Sequence, residues 1–197
     1  SLIKKYNIPK NQTILGSFQK DGVGWGRGEN PKLIKGPDIF IEVVKELKKI
    51  TNPFIILTGP ARGFIIKELK KLNIRYLYIN ASAKTQIAEL YNLLDYYFIC
   101  SREEGGPKGL MESMACGVTV ISNKVGMADT LIKNGKNGYL SDFKSKTFVK
   151  NYLLHDELSI KEKKSLSEKA IRTAKEYDWN LIGKNYQDNM FKKFNFK

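Results

Sequence analysis

Two glutamates stand on either side of a glycine-rich turn in the stretch CSREEGGPKGLMESMACG, which runs from residue 100 to residue 117. Glu104 precedes the turn, and Glu112 follows it within an apolar segment that predicts a helix over 109–116. Gly105, Gly106 and Gly109 allow the backbone to turn sharply and to approach a ligand closely. The N-terminus of such a helix directs free N–H groups and a positive dipole end at that ligand, which favours a phosphate.

The two carboxylates narrow the class of ligand. A carboxylate repels phosphate, but it accepts hydrogen bonds from a vicinal pair of hydroxyls. A ligand that carries hydroxyl-rich groups on both sides of its phosphates satisfies both conditions, and a nucleotide sugar has that layout. Taken singly, Glu112 also fits a first-turn glutamate that suits the helix dipole. We interpret Glu103 as a solvated loop charge.

The elements around this stretch predict an α/β fold. Short apolar runs predict strands at 13–18, 54–58, 75–79, 96–100 and 118–122, with a further short strand in NGYLSD. Amphipathic or helix-favouring segments lie between them at 37–50, 64–72, 84–94, 109–116 and 126–135. This alternation is typical of a Rossmann-like, doubly wound parallel sheet. From Lys144 onward the chain is predicted to be helical, with a break near Asp178.

The loops with unusual composition follow the first, second and fourth predicted strands, and ligands of such sheets bind at the carboxyl ends of strands. The first of these loops, QKDGVGWGRGENPKLIKG, alternates glycines at 22, 24, 26 and 28. It does not match the G-x-G-x-x-G pattern, because Arg27 and Glu29 interrupt it. We therefore interpret the middle of this loop as a flexible surface segment.

Composition sets limits on partners and compartment. The 197 residues form one domain of ordinary size with a formal net charge of +14, a value that first suggests nucleic acid. The positive charge is spread along the chain without a basic tail or block, so an anionic small molecule or an anionic membrane face is an alternative partner. We expect no nucleic-acid partner.

The rare reactive residues indicate structural roles. Cys100 and Cys116 lie in apolar segments, which predicts buried thiols in a reducing compartment. His155 is the single histidine, so a histidine-cluster metal site is excluded, and the segment YLLHDE predicts a solvated helix face for it. No secretory signal or membrane-spanning run is visible, and we expect a cytoplasmic protein.

The stretch around the two glutamates resembles the C-terminal, donor-binding domain of family 4 retaining glycosyltransferases of the GT-B fold. That group carries E-G-x-x-x-x-x-x-E-A-M-A-x-G, and here the pattern runs from Glu104-Gly105 through Glu112-Ser113-Met114-Ala115-Cys116-Gly117. The resemblance continues into VTVISNKVGMADTLIKNGKNGYL and reaches back to GSFQ, KGPDIFIEVVKEL and FIILTGP. It covers nearly the whole chain.

The resemblance implies roles for individual residues. Glu104 would act as the catalytic glutamate near the reacting carbon of the donor sugar, by positioning and electrostatic stabilisation. Glu112 would hold the ribose hydroxyls. Lys35 and Lys20 would neutralise the leaving diphosphate, with Arg27 as the rival of Lys20. The donor-binding turn comprises Gly105, Gly106, Pro107, Lys108, Gly109 and Leu110.

The resemblance also implies the wider organisation. Residues 1–178 would form the nucleotide-sugar domain and residues 179–197 a C-terminal crossover helix, whose Tyr186, Phe191 and Phe194 would be partly exposed. The acceptor site and a catalytic histidine would belong to an N-terminal half that precedes this chain. No metal or cofactor is expected besides the nucleotide diphosphate sugar, and the protein would contact the inner face of a membrane peripherally.

Several features leave alternatives open. Thr119 stands where the family usually has proline, Met127 where it usually has glycine, and the 20–35 loop is longer than usual.

Asn80 and Ser82, after the third predicted strand, are candidates for contact with the nucleotide base. The competing functions are a basic α/β module that binds nucleic acid or another polyanion, and an epimerase or phosphorylase of the same architecture.

Overall fold

A computed structural model describes residues 1–81 and 83–191. Within them a six-stranded sheet is built in the order β3-β2-β1-β4-β5-β6, and every neighbouring pair is parallel. This is the predicted Rossmann-like, doubly wound arrangement, which is confirmed, and the switch in strand order lies between β1 and β4. The strands are β1 (Thr13–Ser17), β2 (Pro53–Thr58), β3 (Tyr76–Ile79), β4 (Tyr96–Ile99), β5 (Thr119–Asn123) and β6 (Tyr139–Ser141).

Helices connect the strands and cover both faces of the sheet. They are α1 (Leu2–Lys5), α2 (Pro37–Leu47), α3 (Gly63–Lys71), α4 (Lys84–Tyr91), α5 (Lys108–Ala115), α6 (Met127–Leu131), α7 (Ser145–Asp156), α8 (Ile160–Glu176) and α9 (Trp179–Tyr186). A short 3-10 turn at Leu33–Lys35 precedes α2, and a π-helical turn at Gln187–Phe191 follows α9. Among these residues no helix is long and apolar enough to cross a membrane.

The core consists of two apolar layers, one on each face of the sheet. One layer packs α4, α5, α6 and part of α8 against residues such as Ile56, Tyr97 and Val120. The other packs α2, α3 and α7 against residues such as Leu57 and Phe98. Strands that are buried on both faces read as continuous apolar runs, and for this reason they were visible in the sequence.

The C-terminal region is helical as predicted, but it contains one more break. After α7 ends at Asp156, Ser159 starts α8 with a capping box. In it, Ser159 Oγ accepts from the backbone N–H of Glu162, and the Glu162 carboxylate accepts from the N–H of Ser159. Helix α9 buries none of its side chains, and Tyr186 is 65% exposed. The side chain of Phe191 and all of Phe194 lie outside the described residues.

The prediction that His155 lies on a solvated face is wrong. The side chain is 7% exposed, and its ring nitrogens lie 2.8 Å from Tyr96 Oη and 3.0 Å from Thr119 Oγ1. Tyr96 and Thr119 are register partners on adjacent strands, so the imidazole links β4 and β5 to α7. Burial, with a smaller contribution from Lys163, lowers the pKa of His155 to about 4.

The two thiols differ in exposure. Cys100 is buried, as predicted, whereas Cys116 is only half-buried. Burial raises the pKa of both groups. Neither thiol is therefore activated as a nucleophile, which agrees with the structural role expected for both.

The middle of the 20–35 loop lies on the surface, as predicted, and the structure adds hydrogen bonds that hold its two arms. Its two arms pair through a bridge between Gly22 and Pro31, and the N–H of Val23 donates to the carbonyl of Asn30 (2.9 Å). The carbonyls of Arg27 and Gly28 accept from the first N–H groups of α3, at 2.7 and 2.9 Å. The loop therefore caps the N-terminus of α3, and these bonds tie it to that helix.

Candidate functional site

The loops that follow β1 and β4 meet at the carboxyl edge of the sheet and bring Lys35 and Glu104 together. Lys35 Nζ lies 2.6 Å from Glu104 Oε1, and the two side chains are 25% and 15% exposed. Ser101 Oγ donates to the same carboxylate oxygen at 2.9 Å. A charge-assisted contact of this length in a half-buried position orients both groups.

Gln19 joins the two loops from the other side. Its amide nitrogen donates to the carbonyl of Lys35 (2.7 Å), and its amide oxygen lies 3.1 Å from Ser101 Oγ, whose single proton it shares with the nearer Glu104 carboxylate. Gln19 lies two residues after β1, so it stands at the carboxyl edge of the sheet. The sequence reading did not identify Gln19 as part of the site, although its place immediately after a predicted strand was a usable signal.

A glycine explains why Lys35 can approach the end of β4. Gly36 has a φ of 65°, and a Cβ added there would lie 1.9 Å from the carbonyl oxygen of Cys100. Only glycine fits this close crossing of two backbones. Arg102 holds the same crossing, because its N–H donates to the carbonyl of Ile34 (2.8 Å) and its guanidinium forms a bidentate pair with Asp38 at 2.9 and 2.6 Å.

The N-terminus of α5 follows Glu104 closely and is open to a ligand. Its N-cap is Pro107, which makes no side-chain capping bond, so the first N–H groups of the helix have no side-chain partner at the cap. Gly105, Gly106 and Lys108 are exposed, whereas Gly109 is half-buried against Tyr97. Helix α5 begins at Lys108, one residue before the predicted start.

Leu110 differs from its neighbours in the turn. Its side chain is fully buried, and its N–H donates to the carbonyl of Pro107 at 2.9 Å. Met127 covers the turn from α6, because its N–H donates to the carbonyl of Gly105 and its sulfur lies 2.9 Å from the place where a Cβ on Gly106 would be. The methionine that replaces the family's usual glycine therefore packs directly on the glycine-rich turn.

Glu112 lies one turn into α5, on the side that faces α4. Its Oε2 accepts from the hydroxyl of Tyr91 at 2.9 Å. Tyr91 is buried, and burial raises its pKa strongly, so the phenol remains a proton donor. A cavity of about 290 Å³ adjoins the pair, and it is lined by Lys84, Ile87, Ala88, Tyr91, Glu112 and Cys116.

The second predicted cation lies apart from the Lys35–Glu104 pair in the described structure. Lys20 Nζ stands 3.6 Å from the centre of the Trp25 ring, a cation–π contact. Its rival Arg27 is 90% exposed and lies 4.0 Å from Glu29.

The candidate base contacts are only partly described. Asn80 is exposed at the end of β3, and Ser82 lies outside the described residues.

Comparison with known proteins shows the family of this chain. The model of the family described as glycosyl transferases group 1 matches residues 31–175, which is most of the sequence. The chain belongs to the glycosyl transferases group 1 family. The match includes Lys35, Glu104 and Glu112, and it excludes the 20–30 part of the long loop.

The named relatives of this chain are distant in sequence. The chain is 27% identical over 161 residues to N-acetyl-alpha-D-glucosaminyl L-malate synthase of Bacillus anthracis, covering 79% of this chain and 40% of that protein. It is 28% identical over 158 residues to a Campylobacter jejuni enzyme named as an N,N'-diacetylbacillosaminyl-diphospho-undecaprenol alpha-1,3-N-acetylgalactosaminyltransferase, covering 77% and 40%. The chain thus spans about 40% of the length of these relatives.

Solved structures show the same fold. The C-terminal domain of a glycosyl transferase group 1 family protein from Francisella tularensis aligns with a TM-score of 0.69 at 20% identity, covering 89% of this chain and 90% of that one. Anabaena HepE, solved with UDP and glucose, aligns with a TM-score of 0.75 at 20% identity, covering 96% and 50%. The predicted GT-B domain architecture is confirmed by these similarities.

A buried ion pair lies next to this site. The sequence analysis did not identify it. Arg62 and Asp21 are 1% and 0% exposed, and Arg62 Nη2 lies 3.1 Å from Asp21 Oδ2. Arg62 also donates to the backbone carbonyl of Gln19, next to the network around Glu104. The position of Arg62 in the turn after β2, at the carboxyl edge of the sheet, was the available signal.

The charges of this pair are costly to bury. Burial raises the pKa of Asp21 to about 6 against the effect of Arg62, and burial lowers the pKa of Arg62. Asp21 also accepts from the N–H of Lys32 through its backbone carbonyl at 2.8 Å. The pair therefore joins the turn after β2 to both ends of the long loop.

Proposed function

We propose that this chain is the donor-binding part of a retaining glycosyltransferase that moves a sugar from a nucleotide diphosphate sugar to a hydroxyl acceptor. The observation that carries the proposal is the Lys35–Glu104 pair at the carboxyl edge of the sheet, immediately before the open N-terminus of α5. It places a cation and a carboxylate, which come from two different loops, next to the first backbone N–H groups of α5. Those are the groups that a diphosphate and a sugar require.

The diphosphate would bind at the N-terminus of α5 and at Lys35. Both stabilise negative charge, and the charge on the diphosphate grows as the bond to the sugar breaks. Lys35 is paired with Glu104 in the structure, so an incoming phosphate competes with the carboxylate for the ammonium. Release of Glu104 from Lys35 would leave the carboxylate free to stabilise the positive charge that develops on the sugar.

The nucleoside would lie on the side of α5 that faces α4. Glu112 can accept hydrogen bonds from the ribose diol, and Tyr91 fixes the orientation of its carboxylate. The cavity beside Glu112 has about 290 Å³, close to the lower limit for small-molecule sites, and it offers room for a base. That HepE shares this fold and was solved with UDP and glucose supports the choice of a nucleoside diphosphate.

The complete reaction requires a second half. The chain spans about 40% of the relatives' length, and we propose that an N-terminal half supplies the acceptor site and a general base. The exposed side chains of α9, among them Trp179, Leu181 and Tyr186, fit a crossover helix that packs on that half. Lys35 and the N-terminus of α5 would neutralise the diphosphate, so the proposed mechanism assigns no step to a metal. We also propose that the enzyme is cytoplasmic.

The test is ligand-induced stabilisation of the 197-residue chain. Thermal unfolding would be measured with UDP, GDP, ADP, CMP and inorganic diphosphate, at low and at moderate salt. A ligand at a hundred times its dissociation constant stabilises by about 2.7 kcal/mol. We expect one nucleoside diphosphate to stabilise more than the others, and Glu112→Ala, which removes the ribose contact, to weaken stabilisation by every nucleotide but not by inorganic diphosphate.

Glu103→Ala is the matched control, because Glu103 is an exposed glutamate next to the site. This variant should keep the stabilisation by nucleotides. Equal stabilisation by all anions that disappears with salt, and that Glu112→Ala leaves unchanged, would refute the donor-binding proposal in favour of a polyanion-binding module.

A further inference from the structure

The long loop after β1 presents apolar side chains on an ordered support. The bridge between Gly22 and Pro31 closes the base of the loop, and the first N–H groups of α3 hold its far arm. Beyond this base, Trp25 is 85% exposed and Val23 is 57% exposed. The base of the loop is thus held by hydrogen bonds, and both apolar side chains of the tip face solvent.

The surroundings of Trp25 are open and cationic. A Cβ added at Gly24 or Gly26 would meet no atom within 4 Å, so the space beside both neighbours of Trp25 is open. Lys20 Nζ lies 3.6 Å from the ring centre. An indole with one polar edge beside a lysine with an apolar stem is the combination that favours the interface between water and lipid.

A basic groove continues from this tip along α3. It has about 750 Å³, and Gly26 and Arg27 line it together with Lys67, Lys70 and Lys71. All three lysines are exposed. The neighbouring acids offset part of this charge, because Glu68 pairs with Lys71 and Glu29 lies 4.0 Å from Arg27. The cations outnumber these acids, so the groove remains positive.

We propose that Val23, Trp25, Arg27, Lys67 and Lys70, here named the Trp25 surface, dock this chain on the surface of an anionic phospholipid bilayer. The apolar tip would enter the headgroup region, and the cations would lie against anionic headgroups. Nucleic acid would use the cations, but it gives no role to Val23. This docking is independent of the proposed donor site, and it would hold the carboxyl edge of the sheet near lipid-linked acceptors.

The two tryptophans provide the test, since the chain contains only Trp25 and Trp179 and both are 85% exposed. Trp179→Phe leaves Trp25 as the single tryptophan, and Trp25→Phe leaves Trp179. Each variant would be titrated with phosphatidylcholine vesicles, with and without phosphatidylglycerol, and then with vesicles that carry brominated acyl chains. No nucleotide is present, so the result does not depend on donor binding.

We expect a blue shift and bromine quenching for Trp25 with anionic vesicles only, and neither change for Trp179. In co-sedimentation, Lys67→Ala combined with Lys70→Ala should lower the association constant roughly fivefold for each lysine removed. The matched control removes two exposed lysines of α8 by Lys161→Ala and Lys164→Ala, and it should bind nearly as the parent chain does. All substituted side chains are exposed, and circular dichroism confirms that each variant is folded.

Four results would overturn the proposal. Unchanged Trp25 emission in vesicles that still pellet the chain would show charge attraction without insertion. A shift confined to Trp179 would assign the contact to α9. Equal losses of binding in the α3 and α8 double variants would show that net charge, and not the Trp25 surface, governs association. Quenching of Trp25 by a DNA oligonucleotide without any vesicle binding would instead indicate a nucleic-acid surface.

Discussion

Replacement of His155 by glutamine should remove a pH dependence from the stability of the chain. Neutral imidazole fits between Tyr96 and Thr119 in the structure, and its pKa there is about 4 against 6.5 for the free side chain. The unfolded chain therefore binds a proton between these two pH values while the folded chain does not. The contribution of neutral His155 is complete above 6.5 and is lost as the pH falls toward 4.

The size of the effect follows from the shift. One pH unit corresponds to about 1.4 kcal/mol when one group titrates only in the unfolded state. Over the window from 6.5 to about 4, the free energy of unfolding should fall by about 3 kcal/mol on account of His155. This is a large part of the total stability of an ordinary domain.

Urea unfolding of the parent chain and of His155→Gln, at closely spaced pH values across that window, measures the effect. The difference between the two proteins is the informative quantity, because other titrating groups cancel in it. Asp21 is the most important of these, since its raised pKa of about 6 contributes a slope of opposite sign. A difference that stays constant with pH would refute a depressed pKa for His155, and a difference that grows on acidification would give the wrong sign.

Three further predictions concern the site and its support. Gly36→Ala should destabilise the chain by more than Gly135→Ala in urea unfolding, because both glycines have positive φ but only Gly36 lies against another backbone; equal losses would remove the steric argument. Arg62→Leu should cost about 3–5 kcal/mol by leaving Asp21 buried without its partner, and a double variant with Asp21→Leu should recover most of that loss, so a double variant as unstable as Arg62→Leu would contradict the pairing. Lys35→Ala should weaken nucleoside diphosphate binding about tenfold or more in calorimetry, and unchanged affinity would exclude Lys35 from the diphosphate site.

The fold was predictable because its signals are local. Each buried parallel strand is an apolar run, and each helix between strands repeats its apolar positions with the helical period. Helix α2 illustrates this, because Ile39, Val43 and Leu47 are all buried on one face as their spacing requires. The extra break at Ser159 was also encoded, in the serine and glutamate of its capping box.

The candidate site was predictable only in part. Lys35 and Glu104 lie 69 residues apart in the chain, and their motif positions indicated a common edge of the sheet that the structure then brings together. Arg62 and Asp21 gave no such indication, because glycine-rich surroundings suggest solvent. Their burial results from the long loop folding back onto α3, a long-range contact that neither segment encodes alone.

Thr119 shows how two separate misfits in the sequence can share one cause. The related family usually has proline at this position, and a proline has no hydroxyl and no N–H with which to bind a neighbour. Thr119 Oγ1 lies 3.0 Å from His155 Nε2, so the threonine provides the partner that a buried histidine needs. With proline at position 119, the buried His155 imidazole would lose this partner. With leucine at position 155, the Thr119 hydroxyl would lose it. The sequence alone indicated a departure from the family at Thr119 and a surface position for His155. The two residues are 36 positions apart in the chain, and the packing of α7 on β5 brings them into contact.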